Sequence, residues 1–359
     1  MSPPRHLVVV AAGTGGHVMP GLAVADEMRA RGWTVSWIGT TTGMENDLVP
    51  ARGIALDRIA FTGMRGKGPR HMIEGAVRFV GAMAASLKLL RQRRAKVVFG
   101  TGGYVCVPVG LMARLGRRPL VLLNADAALL LSAKLLKPFV TRLATGFPPS
   151  GRKADVVERW TGNPVRAEIA ALPDPAQRFA GRGGPLKLLV VGGSLGARVL
   201  NQTLPEAVAL MPAGRRPVIT HQTGRIEADA VRKAYERHGI DAEVLPFIDD
   251  MARRYAEADV VLCRAGAITV SELCAGGVPS LLVPLKVSTT SHQQHNAELV
   301  EQAGAGLHLP QAGLTAEKLA ATLGGLTRER LAAMAANARK LAKAEAAKAV
   351  ADMLEEVAG

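Results

Sequence analysis

The chain has little that would tie it to an oxidising compartment, a structural metal or a membrane span. Its three cysteines, Cys106, Cys263 and Cys274, sit on apolar runs with no Cys-x-x-Cys spacing. That excludes a disulfide framework and a zinc site and points to a reducing compartment. Aromatic residues make up only 4%, with three tyrosines in 359 residues, too few to stack successive bases, so nucleic acid is not an expected partner. No uncharged apolar run reaches the roughly 18 residues of a spanning helix. The N-terminal Met-Ser-Pro-Pro-Arg-His leads directly into a strand too short for a signal-peptide core, so no such core is expected there. Two nucleotide signatures are also missing. A dinucleotide fingerprint starting at Gly13 would need glycine where Val18 stands, and no glycine-rich loop ends in the Gly-Lys-Ser/Thr of a Walker A motif.

What is present is hydrophobic (48%) and basic, with a formal net charge of +15. Residues 1–162 hold 23 Lys+Arg against 9 Asp+Glu, whereas residues 163–359 hold 22 against 21. The excess lies almost wholly in the first half. Charge alone suggests a polyanionic partner there (anionic lipid, nucleic acid or a phosphorylated substrate), of which the scarcity of aromatics disfavours nucleic acid, with solubility alone as the plainer explanation.

Length favours two domains. Apolar runs at Leu7–Val10, Val35–Ile38, Val97–Phe99 and Leu120–Leu123 alternate with helical patterns such as Leu22–Arg31. The theme returns at Leu188–Val191, Val218–Thr220, Val244–Leu245, Val260–Cys263 and Ser280–Val283. Alternation of this kind predicts an α/β architecture of two doubly wound parallel sheets. Gly162-Asn163-Pro164 marks the joint, giving an N-terminal domain over 1–163 and a C-terminal domain over 164–341. The Ala-rich tail beyond Arg330 is long enough for a helix at about 342–359 to cross back onto the first domain. Arg65–Lys96 is apolar on more than one helical stripe and flanked by cations, including Arg91, Arg93 and Arg94. It reads equally as a membrane-interface helix or as a sheet-covering helix with a snorkelling edge.

Two glycine-rich turns, Gly13-Thr-Gly-Gly-His17 and Gly192-Gly-Ser194-Leu-Gly196, each follow a strand and open a helix. Backbone N–H groups and the helix dipole make such turns anion cradles. His17 on the first turn is a general-base candidate near neutral pH or a ring that merely fastens the loop. After Val260–Cys263, Thr269 and Glu272 are spaced for ribose recognition at a strand's carboxyl end or for a helix capping box. Ser291-His292-Gln293-Gln294-His295 supplies amides and imidazoles suited to sugar hydroxyls.

These motifs, in this order from residue 7 to about 310, resemble the MurG family of peptidoglycan GlcNAc transferases. The residues that carry the resemblance are Gly13–Ala25, Gly100-Thr-Gly-Gly-Tyr104, Gly162-Asn-Pro-Val-Arg166, Val191–Arg198, Phe247-Ile-Asp-Asp-Met251 and Arg264–Glu272. The resemblance implies a GT-B fold, with two Rossmann-like domains facing across a cleft that closes to exclude water. It implies an inverting transfer of GlcNAc from UDP-GlcNAc to the MurNAc 4-hydroxyl of undecaprenyl-diphospho-MurNAc-pentapeptide, lipid I to lipid II. It also implies a peripheral place on the cytoplasmic face of the bacterial inner membrane, a role in cell shape and division, and other wall-synthesis proteins as partners. For the donor it implies Ile248 against uracil, Glu272 on the ribose, and Gly193, Ser194 and Arg166 on the diphosphate. Ala267, Ile268 and Thr269 would lie near the nucleotide, and His292, Gln293 and Gln294 on GlcNAc. Thr14, Gly15, Gly16 and His17, with Gly102, Gly103 and Tyr104, would form the acceptor pocket, the first three also bordering the donor. The chain departs from the family at Leu123-Asn124-Ala125-Asp126, where many members carry His-Glu-Gln-Asn. Asp126, at the family's donor-sugar asparagine, thereby rivals His17 as base. No Asp-x-Asp motif occurs, so no essential protein-bound metal or other cofactor is expected. The competing expectations are a GT-B transferase with another lipid or small-molecule acceptor, and a nucleotide-sugar-binding protein without turnover.

Overall fold

The computed structural model describes residues 5–61, 69–148 (of 69–72 the backbone), 157–193, 196–285, 291–343 and 345–359. They divide into two compact units, one of residues 1–166 with 343–359 and the other of 167–342.

Unit 1 runs β1 (His6–Ala11), α1 (Gly15–Ala30), β2 (Thr34–Thr40), α2 (Glu45–Ala51), β3 (Ala55–Ile59), α3 (Pro69–Gln92), β4 (Val97–Gly102), α4 (Cys106–Leu115), β5 (Leu120–Asn124), α5 (Leu131–Leu136), β6 (Arg142–Thr145) and β7 (Glu158–Trp160). The strands form one parallel sheet in the order β3-β2-β1-β4-β5-β6-β7. β1 is apolar from Leu7 to Ala11 because both its faces are covered there. Leu7, Val9 and Ala11 join one buried cluster with α1, while Val8, Val10 and Ala12 join another with residues of α3 and α4.

Unit 2 runs α6 (Ala167–Ala170), α7 (Pro175–Phe179), β8 (Lys187–Val191), α8 (Arg198–Ala209), β9 (Val218–Gln222), α9 (Ala228–Arg237), β10 (Ala242–Leu245), α10 (Met251–Glu257), β11 (Val260–Cys263), α11 (Ala267–Gly276), β12 (Ser280–Leu282), α12 (His292–Gln302), β13 (Gly306–His308), α13 (Ala316–Gly324) and α14 (Arg328–Leu341). Its parallel sheet has the order β10-β9-β8-β11-β12-β13.

The last helix, α15 (Ala346–Ala358), belongs to unit 1. It buries Val350, Ala351, Met353 and Leu354 in the cluster of β1 and α1. Arg31 fastens it through Asp352 at 2.6 Å and Glu355 at 2.7 Å, and the Trp33 indole N–H donates to Glu355 at 3.0 Å.

Both sheets reverse direction once, unit 1 between β1 and β4 and unit 2 between β8 and β11. A sheet that reverses leaves a crevice at the carboxyl ends of the two strands concerned, and ligands settle there. The two glycine-rich turns singled out by sequence follow β1 and β8, so each borders the crevice of its own unit.

α1 begins seven residues earlier than the apolar pattern starting at Leu22 suggests, and it carries Pro20 inside. Gly21 explains how it lies so close to the sheet: a Cβ there would stand 2.5 Å from the Trp37 ring.

Candidate functional site

In unit 1 the turns after β1 and β4 touch. Gly102 and Gly103 have φ +135 and +89, conformations open to glycine, and a Cβ on Gly103 would stand 2.8 Å from the Ala12 carbonyl oxygen. Thr14 is the N-cap of α1 by backbone conformation, but its hydroxyl caps nothing. The first-turn amides at Gly15 and Gly16 therefore keep the positive potential of a helix start, which suits a diphosphate.

His17 sits on that first turn. Its Nδ1 is 3.2 Å from the Ala12 carbonyl oxygen. A carbonyl only accepts, so the proton belongs on Nδ1 and the lone pair on Nε2. The Thr101 hydroxyl donates to the His17 carbonyl at 2.7 Å, tying β4 to the same turn. Burial pushes the imidazole below its ordinary pKa of 6.5, opposed by the bond to Ala12 and by the charges of Asp126 and Glu45. The ring is thus neutral at pH 7, with a basic nitrogen available.

Asp126 follows β5 and is half-buried. Its electrostatic effect on His17 places both base candidates at one edge of unit 1. Asn124, which holds the family's glutamate position, shapes this loop. Its Nδ2 donates to the carbonyls of Asp126 at 2.7 Å and Ala128 at 3.1 Å, and its Oδ1 accepts from Leu130 N–H at 2.9 Å. Asn163 Nδ2 adds a bond to the Ala125 carbonyl at 2.8 Å. Tyr104, beside Gly103, is 46% exposed.

In unit 2 the turn after β8 is held from below. Gly192 N–H donates to the Gln222 carbonyl at 3.1 Å, and Gly193 and Gly196 have φ +80 and +77. Ser194 lies outside the described residues. A buried chain of polar groups anchors α8, the helix that this turn opens. His221 Nε2 donates to Asn201 Oδ1 at 3.1 Å, and the Tyr235 hydroxyl bonds His221 Nδ1 at 3.0 Å. Asn201 Nδ2 reaches the Thr223 carbonyl at 3.0 Å. Burial holds the His221 imidazole down at about 3.

Ile248 follows β10 and is buried. α11 starts at Ala267 with Gly266 as its N-cap. This corrects the capping-box expectation: Thr269 is the third residue of the helix, so Thr269 and Glu272 do not form a box there. Glu272 is instead buried on the second turn. Ala267, Ile268 and Thr269 are partly exposed on the first turn, beside the crevice. α12 starts at His292, with Gln293 and Gln294 next. Gln293 Oε1 accepts from Leu285 N–H at 2.8 Å, a bond that does not use its amide NH2. Gln294 is engaged with Glu298 at 2.7 Å. Asn296 Nδ2 donates to the Ala265 carbonyl at 3.0 Å, tying α12 to the α11 turn.

The expected donor set is therefore divided. Gly193, Ile248, Ala267, Ile268, Thr269, Glu272, His292, Gln293 and Gln294 lie in unit 2 beyond the carboxyl ends of its strands. Thr14, Gly15, Gly16 and Asp126 lie in unit 1, and Arg166 is its last residue before α6. Sequence reading missed Glu45, whose buried carboxylate accepts the Gly13 N–H at 2.9 Å. The only signal for it is an acidic residue at a helix start after a glycine. Among the described residues, no group of three or more His, Cys, Asp and Glu is placed to hold a metal ion.

α3 answers the question of its two stripes. Phe79, Met83, Ala82 and Leu90 pack inward, while Ile73, Val77 and Val80 are 66%, 68% and 64% exposed. The inward stripe covers the sheet, and the outward one continues into the exposed Lys88 and Arg91. Arg93 is not part of the free basic edge, because its guanidinium grips Asp57 through two bonds of 2.8 and 2.9 Å. No helix of the described residues is long and apolar enough to cross a membrane.

The glycosyltransferase family 28 N-terminal domain model matches residues 7–145, and the C-terminal domain model of that family matches residues 187–353. A protein of Methylibium petroleiphilum named UDP-N-acetylglucosamine–N-acetylmuramyl-(pentapeptide) pyrophosphoryl-undecaprenol N-acetylglucosamine transferase is 58% identical, over 98% of each chain. One of the same name from Chromobacterium violaceum is 57% identical over 99% of each. Among solved structures, MurG of Acinetobacter baumannii superposes with a TM-score of 0.86 at 34% identity, covering 98% of this chain and all of that one.

Proposed function

The chain belongs to glycosyltransferase family 28, among the MurG enzymes that transfer GlcNAc from UDP-GlcNAc to lipid I in peptidoglycan synthesis, and on that premise we propose how its residues divide the work. Unit 2 takes the nucleotide sugar: Ile248 lies against the uracil, Glu272 accepts from the ribose hydroxyls, and Gln293, with His292 and Gln294, reads GlcNAc. Unit 1 takes the acceptor on the amides of Gly15, Gly16, Gly102 and Gly103, with Thr14 and Tyr104 at the rim. Here the MurNAc 4-hydroxyl gives its proton to His17 Nε2 as its oxygen bonds C1 of GlcNAc from the face opposite UDP. The C1–O bond to UDP breaks with its electron pair, so configuration inverts. The negative charge gathering on UDP is met by the Gly193–Ser194 turn, the N-terminus of α8 and Arg166, without a metal held by the protein.

The observation that carries the base assignment is the His17 Nδ1 bond to Ala12 at 3.2 Å, which fixes the basic nitrogen as Nε2. Asp126 is the second reading, favoured by its electrostatic contact with the same ring. His17→Ala and Asp126→Ala, assayed on a lipid I analogue, separate them. A positioned base contributes about 10²- to 10⁴-fold, so the variant of the true base loses at least a hundredfold in kcat. Near-normal turnover by both contradicts the assignment.

The outward face of α3 docks on the cytoplasmic leaflet as a peripheral contact. Three side chains such as Ile73, Val77 and Val80 supply on the order of 4 kcal/mol when fully covered, too little alone for stable binding. Lys88, Arg91 and Arg94 add about 1 kcal/mol each only over anionic lipid. Binding therefore needs both terms.

A further inference from the structure

Glu45 opens α2 and is fully buried. A buried carboxylate must have its hydrogen bonds supplied, and three neutral donors converge on this one. Oε1 accepts from Thr40 N–H at 3.0 Å and Oε2 from Gly13 N–H at 2.9 Å, while the single proton of the Thr40 hydroxyl is shared between Oε1 at 2.8 Å and the Thr42 carbonyl at 2.5 Å. Two glycines leave room for it. A Cβ on Gly39 would stand 2.8 Å from Glu45 Cγ, and one on Gly43 would stand 3.0 Å from both Glu45 Cδ and Gly13 N.

The Gly13 residue is gripped on both sides. Its N–H goes to Glu45, and its carbonyl accepts from Met44 N–H at 3.0 Å. The neighbouring Ala12 carbonyl is the acceptor for His17 Nδ1. A continuous series of contacts therefore runs from the Glu45 carboxylate through Gly13 and Ala12 to the imidazole.

We propose that Glu45 is a positioning residue for the transfer reaction: by clamping Gly13 it holds the Ala12 carbonyl where it fixes His17 with Nε2 toward the acceptor. The inference rests on His17 being the base. The purely structural alternative is that Glu45 only anchors α2. The two differ in what they do to the imidazole. The charges acting on His17 are those of Asp126, from the loop after β5, and Glu45, from α2, and both raise its pKa against burial.

The test uses the full chain with UDP-GlcNAc and a lipid I analogue. Glu45→Gln keeps the volume but turns one acceptor oxygen into an NH2 that faces another donor. It should lower kcat roughly ten- to a hundredfold, as sub-ångström misplacement of reacting groups does, and leave KM for UDP-GlcNAc within twofold. The acid limb of kcat against pH should move to lower pH, since a negative charge is gone. Glu45→Asp keeps the charge but falls one methylene short, so kcat should drop with the acid limb in place; this variant serves alone if the glutamine form does not fold. Val49→Ala, buried on the same helix with an apolar side chain that makes no hydrogen bond to the turn, should lower Tm and keep kcat within twofold. An unchanged kcat in both Glu45 variants overturns the proposal, as does an equal loss of kcat in Val49→Ala at matched Tm. The underlying assignment fails separately, if His17→Asn retains the acid limb.

Discussion

The His17 imidazole occupies the space that a side chain on Gly102 would take: a Cβ built on that glycine would stand 2.7 Å from Nε2. The missing side chain is what lets the second turn come up to the imidazole. Gly102→Ala would force the ring aside and also strain a backbone at φ +135. The expected result is a loss of roughly a hundredfold in kcat, with KM for UDP-GlcNAc within twofold, read in steady-state kinetics.

The pH profile follows from the same ring. Burial sets the His17 pKa below 6.5, so the neutral, basic form persists into mildly acidic solution. The acid limb of kcat should have its midpoint below pH 6.5, and His17→Asn should abolish that limb along with most of the rate. Stopped-time assays across pH 5 to 8 measure both.

Much of this arrangement is legible in the sequence, and the gaps have physical reasons. β1, β8 and β11 are covered on both faces, so their continuous apolar runs stand out. β3 carries Asp57 and Arg58, while β6, β7 and β13 are three or four residues long. Edge and near-edge strands need no such run, so the apolar pattern does not mark them. The start of α1 was hidden by Pro20 and three glycines, which read as breakers; tertiary packing of Gly21 on Trp37 overrides them. Both glycine-rich turns were legible because phosphate-type chemistry needs small residues at a strand-to-helix junction. The bonds from Glu45 to Gly13 and from Asn124 to its own loop were not, since they depend on how distant segments meet.

Stability should depend on His221. Its folded pKa is held near 3 by burial, against about 6.5 unfolded. Between those values the unfolded chain takes up a proton that the folded chain refuses, so stability falls as pH drops through 6.5 and levels off below about 3. At pH 5 the loss from this residue is about 2 kcal/mol. Thermal denaturation between pH 7 and 5, above the range of most carboxylates, should show Tm falling with pH, and less steeply in His221→Asn.

On membranes, Arg91 and Arg94 should matter and Arg93 should not, because Arg93 is engaged with Asp57. In co-sedimentation with vesicles containing phosphatidylglycerol, charge reversal at Arg91 and Arg94 should weaken binding at least tenfold, as should raised salt. Arg93→Glu should lower Tm and leave vesicle binding within twofold. Binding indifferent to lipid charge would contradict docking through this face.

The most direct test of the central claim is UDP release from a panel of UDP-sugars, with and without a lipid I analogue, in parent and His17→Ala proteins. The account predicts rapid release only with UDP-GlcNAc and acceptor together, a β-linked product, and at least a hundredfold loss on removing the imidazole. Equal release without acceptor, or an undiminished rate in His17→Ala, would contradict it.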